Sequence, residues 1–173
     1  MKKKTLIWIG ICIAIAAIVL WRWLPSRSSY YQGNGSIRIP MVQVHNNQFK
    51  MAMRLYHVDP KQDVVAEALR KLLSDGGALS PFPSGTRLLD LRVQNSIAYV
   101  NFSSEFNQIR ENGDTTESLA QNALRKTLAQ FEQVKAMRIM VDGKPFVGEH
   151  SDWSQPIPVR GTDGGVTQGA SAG

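Results

Sequence analysis

The chain's 173 residues carry 20 lysines and arginines against 14 acids, a formal net charge of +6, and a single cysteine. The excess is local: Lys2, Lys3, Lys4, Arg22 and Arg27 stand in the first 30 residues with no acid, so +5 falls there and subtraction from +6 leaves +1 for residues 31–173. That distribution excludes a nucleic-acid binder, whose cations would line a folded face, and the lone Cys12 excludes a disulfide within the chain.

Behind a basic tip, residues 1–5, comes an apolar run from Leu6 to Leu24 in which Arg22 is the one charge. As a helix it would rise about 28 Å, close to the roughly 30 Å hydrocarbon core of a bilayer. The run ends in the bulky "LWRWLP", not in a small-residue cleavage site, which favours an uncleaved anchor over a signal peptide. Lysines before the run place the N-terminus in the cytoplasm and the remainder outside it, so the predicted location is the bacterial cytoplasmic membrane, crossed once. Cys12 lies inside the run, where a lipoprotein cysteine would follow it. Residues 25–36 read as a flexible polar tether, 37–160 as one domain and 161–173 as a disordered tail.

The domain opens with "IRIPMVQV" and "QFKMAMRLYHV", joined by "HNNQ", where asparagine tolerates left-handed backbone. This predicts a hairpin with Pro40 on an edge strand. In "VVAEALRKLLSDGG", Val65, Ala68, Leu69, Leu72 and Leu73 recur at helical spacing, with Asp63 to cap the start and Gly76 to end it. "PSGTRLLDLRVQNSIAYVNFSSEF" then predicts a second hairpin turning at Asn95-Ser96. Its register sets Val93 opposite Ala98, Leu91 opposite Val100 and Leu89 opposite Phe102 on one face, and Asp90 opposite Asn101 and Arg92 opposite Tyr99 on the other. A second helix follows, with Asp114 and Glu117 at capping-box spacing and a stripe of Ala120, Leu124, Leu128 and Phe131. Met137, Ile139 and Val141 alternate as a last strand before an Asp-Gly turn. The order β-β-α-β-β-α-β predicts a single α+β domain, one sheet with two helices packed on one face, preceded by one N-terminal transmembrane helix.

Residues from about 48 to 160 resemble the GerMN domain of bacterial sporulation and germination proteins. "AEALRKLLSDG", "PSGTRLLDLRVQNSIAYVNFSSEF" and "LAQNALRKTLAQFEQVKAMRIMVDGKPF" carry the resemblance, and the Pro-x-Gly-Thr lead-in with its tight hairpin and "VNFSSEF" is the most specific part. The resemblance implies a non-catalytic, extracytoplasmic α+β module held at the membrane, with a fold similar to the ring-building modules of secretion systems. It supplies no catalytic residue. The chain departs from many relatives in having an apolar run where they have a lipoprotein cysteine, and in a turn of Asn95-Ser96 where Asn-Gly is the stronger choice.

The residues offer little chemistry. His45, His57 and His150 lack ligand spacing, "PFPSGTR" lacks the lysine of a phosphate loop, and Ser103 and Ser104 lack a nucleophile elbow. The reading is therefore a membrane-anchored interaction or assembly module of an envelope complex, linked to sporulation or germination, with no catalytic residue, cofactor or metal. Its partners would be envelope proteins or further copies in a ring, and not nucleic acid. Asp90, Arg92, Tyr99 and Asn101 are the candidate contacts, since arginine and aromatic side chains are enriched at interfaces. One alternative is a cell-wall hydrolase or accessory using Glu105, Glu149 or Asp152; another is a small-ligand sensor with a deep apolar pocket.

Overall fold

The structure is a computed structural model and describes residues 35–75, 77 and 79–160. The expected tip, anchor and tail, the tether as far as residue 34, and the Gly76 helix end lie outside the described residues. Among the described residues, no helix is long and apolar enough to cross a membrane.

Strand β1 (Ser36–His45) and β2 (Gln48–His57) form the first hairpin, paired over ten rungs. Asn46 and Asn47 both take positive φ, 51° and 58°, as a two-residue I′ turn requires. Helix α1 (Val64–Ser74) starts on the Asp63 side chain, which accepts from the N–H groups of Val65 and Ala66 at 3.1 Å each. Strands β3 (Leu88–Gln94) and β4 (Ile97–Phe102) make the second hairpin, again on an I′ turn, with Asn95 at φ 51° and Ser96 at 62°. A 3-10 helix (Ser104–Asn112) leads into α2 (Gly113–Ala129), and β5 (Ala136–Val141) follows. The short β6 (Lys144–Pro145) and β7 (Ile157–Pro158) both pair with β5.

The expected single sheet is two sheets. One contains β1 and β2; the other has the order β3-β4-β5-β6, with β7 also on β5. The free edge of β1 explains the split. Gln130, at the end of α2, takes the place of a neighbouring strand: its Oε1 accepts from Arg38 N at 2.9 Å, and its Nε2 donates to Arg38 O at 3.1 Å. Two residues on, Pro40 has no N–H to offer that edge. The ribbon is held face-on instead, through Ile37 and Ile39, both fully buried.

The second hairpin keeps the expected register from Gln94 to Asp90. Beyond it the pairing shifts: Leu88, not Leu89, lies opposite Phe102, and Leu89 is the extra residue of a bulge, half exposed. Bulges add one unpaired residue and re-aim the side chains after it, which periodicity alone does not reveal. Strand β4 pairs with β5 in parallel, so the chain between them must cross over; the 3-10 helix and α2 make that connection.

One core joins Ile37 and Ile39 of the ribbon, Leu69 and Leu72 of α1, Leu124 and Leu128 of α2, and the inward residues of β4 and β5. Both of those strands alternate strictly between half-buried and buried. At one end of this core the rings of Phe102 and Phe106 stack at 4.6 Å, and Phe146 and Trp153 meet Phe106 edge-on at 5.1 and 5.8 Å. Aromatic pairs favour these offset and edge arrangements.

Candidate interaction face

The helices share the core with one side of the larger sheet, and the strand registers define what stands on the other side. Arg92, Tyr99 and Arg138 form one row across β3, β4 and β5. Asp90, Asn101 and Met140 form the next. All four candidate contacts therefore share one face, as the sequence pattern predicted, and their environments differ.

Asp90 and Arg92 pair with each other, Nε to Oδ2 at 3.2 Å, with both side chains more than half exposed. An ion pair this wet contributes at most about 1 kcal/mol, which leaves both groups available to a partner. Tyr99 is half-buried between two arginine positions. Asn101 is tied into the fold, because its Oδ1 accepts from Gly143 N at 2.9 Å and so pins the β5–β6 turn. That turn needs left-handed backbone at Asp142 and Gly143, φ 47° and 76°, and the Asn101 bond helps hold it.

Arg138 joins this face although the sequence pattern did not single it out. It occupies the outward position between Met137 and Ile139, and its Nε is enclosed without a hydrogen-bond partner. Its charge acts on the neighbouring Asp152 carboxyl. The signal lay in the alternation of "AMRIMV": once its odd-numbered residues are assigned to the core, Arg138 must face out.

Two of the three acids nominated for hydrolysis are held by their own local neighbours. Glu105 sits on the 3-10 helix, where the Ser103 hydroxyl beside it holds its carboxyl below the usual carboxylate range. Asp152 is held low chiefly by the Ser154 hydroxyl, helped by the Ser154 N–H, Gln155 and the charge of Arg138. Glu149 contributes its backbone N–H, not its carboxylate, to the loop's organisation. Among the described residues, no three His, Cys, Asp or Glu side chains gather as a metal-binding group. A hollow of about 250 Å³ beside the 3-10 helix is lined by Arg110, Lys144 and one acid, Asp142, where paired carboxylates would be needed.

The carboxylate that organises this region is Glu117, which the sequence placed in a capping box. The structure corrects that role: α2 has Asn112 at its N-cap with no side-chain bond, and Glu117 is 2% exposed. Its Oε1 accepts from Trp153 Nε1 at 2.9 Å, and its Oε2 from Glu149 N at 3.1 Å and His150 N at 3.3 Å. A side chain on Gly148 would collide with the same carboxylate. The 146–153 loop is thus closed over a buried carboxyl group that accepts from three donors. Sequence spacing cannot reveal this, because Glu117 and Trp153 are 36 residues apart.

Residues 30–147 match the Germane family, described as sporulation and spore germination. Among solved structures, the chain is similar to the tandem GerMN domains of the sporulation protein GerM from Bacillus subtilis, with 16% identity and a TM-score of 0.57, over 71% of this chain and 44% of that one. The first GerMN domain of the same protein aligns at 15% identity and a TM-score of 0.49, over 72% of this chain and 94% of that one. The chain therefore spans less than half the length of the tandem structure. No curated protein matches.

Proposed function

The chain belongs to the Germane family of sporulation and spore germination, and from that premise we propose that it is a membrane-anchored, extracytoplasmic interaction module that helps assemble or regulate an envelope complex. The carrying observation is the row Arg92–Tyr99–Arg138, set across three strands on the side of the sheet opposite its helices. A rigid three-strand platform fixes an aromatic ring between two guanidinium groups, which suits an acidic or carbonyl-rich protein surface. Asp90 tempers that charge and gives the face a polarity that selects among partners.

The apolar run of residues 6–24 supports single-pass anchoring, with the lysines before it cytoplasmic. Confinement to a membrane raises the effective concentration of weak contacts, so the face need not bind tightly in solution. Partners are envelope proteins, or further copies closing into a ring.

In-cell photo-crosslinking from position 94, at the edge of this face, tests the reading. Arg92→Glu, Tyr99→Ala and Arg138→Glu should each reduce the envelope-protein adduct by about tenfold, the loss of one interface anchor. Circular dichroism should be unchanged in each. Adducts that persist at full yield in folded variants would remove this face as the contact.

A further inference from the structure

The β1–β2 ribbon carries an apolar surface that the domain leaves uncovered. Val44, Phe49, Met53 and Leu55 are all exposed, Leu55 to 66%. In the ribbon's register Val44 lies opposite Phe49, Pro40 opposite Met53 and Arg38 opposite Leu55, and opposed residues point to the same side. The four therefore share one side, while Ile37 and Ile39 enter the core from the other. Pro40 and Val42 on that same side are buried and Met51 packs against the core, so the side is covered at its middle and open at Val44, Phe49, Met53 and Leu55.

Charge points to the occupant. Residues 36–58 contain Arg38, Lys50 and Arg54 and no acid, whereas residues 59–160 carry 13 acids against 12 lysines and arginines. We propose that the exposed side of the ribbon rests on an anionic lipid bilayer, with Phe49, Met53 and Leu55 entering the headgroup boundary and Arg38 meeting lipid phosphate. Lys50 and Arg54 project from the opposite side of β2, yet the ribbon is one layer thick. Their charges stay within the roughly 8–10 Å over which salt leaves attraction to an anionic surface effective. A second copy on this side would bring one Arg38 towards another, whereas an anionic surface would pair with it.

Position in the chain agrees. The ribbon begins at Ser36, and only residues 25–35 separate it from the apolar run ending at Leu24. That stretch spans at most about 40 Å when fully extended, so a chain anchored by residues 6–24 keeps the ribbon within reach of the membrane. The inference rests on that anchoring in this respect, and on the ribbon's own charge and exposure otherwise. The docked domain would turn a fixed side to the envelope space.

The test uses the full chain with Cys12→Ser and one new cysteine, Met53→Cys or Glu132→Cys, labelled with an environment-sensitive fluorophore. It is reconstituted in phosphatidylcholine vesicles with and without 30% phosphatidylglycerol (roughly the anionic content that gives a strong surface potential), and quenched with brominated lipid. Position 53 should be quenched several-fold more than 132 in anionic vesicles, and the difference should fall with added salt or with Arg38→Glu. No quenching at 53, in a chain that resists alkaline extraction, would overturn the docking and leave the anchor standing. A chain that is extracted, yet is quenched at 53 by anionic vesicles at low salt, would support the docking and overturn the anchor. Crosslinks between copies at 53 without lipid quenching would give the surface to a second copy and overturn the proposal. Equal quenching in neutral vesicles would overturn the requirement for anionic lipid.

Discussion

The β1–β2 ribbon and the β4–β5 pair are both built from alternating strands, and they meet opposite ends. In β4 and β5 every second residue is buried against the core shared with the helices. In β2 no residue is fully buried, although Phe49, Met51, Met53 and Leu55 alternate as regularly. Alternation assigns residues to sides, and a side becomes core only when another element covers it. Here α2 crosses between the parallel strands β4 and β5 and covers one side of each. On the outer side of the ribbon only the middle, at Pro40, Val42 and Met51, is covered, and Val44, Phe49, Met53 and Leu55 stay exposed.

Substitutions at the two regions should therefore differ in scale. The largest loss is expected at Glu117→Ala, which strands the Trp153 indole N–H and two backbone N–H groups: about 4 kcal/mol by urea denaturation. Ile39→Ala, on the packed side of the ribbon, should cost about 3 kcal/mol. Gly148→Ala forces the Glu117 carboxylate off its donors and should cost about 2 kcal/mol, with Trp153 fluorescence shifting to the red as the loop opens. Leu55→Ala, on the same ribbon as Ile39, should change stability by no more than about 0.5 kcal/mol. A loss at Leu55 equal to that at Ile39 would mean that the outer side is packed within the domain.

The smallest effect is one of pH. The Asp152 carboxyl is held low by Ser154 and its neighbours, so its contribution is complete above the ordinary carboxylate range. It is lost as pH falls through the depressed folded value. The drop in urea midpoint between pH 7 and pH 3 should be slightly smaller in Asp152→Asn than in the parent chain, and an unchanged drop would show that Asp152 is not linked to folding.

Much of the candidate face is legible in the sequence. Two I′ turns, at Asn46-Asn47 and Asn95-Ser96, fix both hairpin registers locally, and register puts Asp90, Arg92, Tyr99 and Asn101 on one side. Arg138 is not legible in the same way, because its place beside Tyr99 depends on β5 pairing with β4, a contact made across the whole crossover. Leu89 departs from its expected place because the bulge adds one residue to a pattern that otherwise stays in phase. Glu117 has spacing that does suit a cap, but a buried indole N–H and two backbone donors outcompete the helix end for its carboxylate.

Sequence alone determined the elements whose causes are short-range: turns from asparagine's tolerance of left-handed backbone, the α1 start from Asp63, and the inward sides of β4 and β5 from period-two alternation. Tertiary structure decided the relations between them. It split the strands into two sheets by placing Gln130 on the edge of β1, drew Glu117 into the core with Trp153, and left Val44, Phe49, Met53 and Leu55 of the ribbon exposed. Those outcomes depend on residues many positions apart meeting in space, where the free energy of burial and of satisfied polar groups is settled by the whole packing, not by any one segment's pattern.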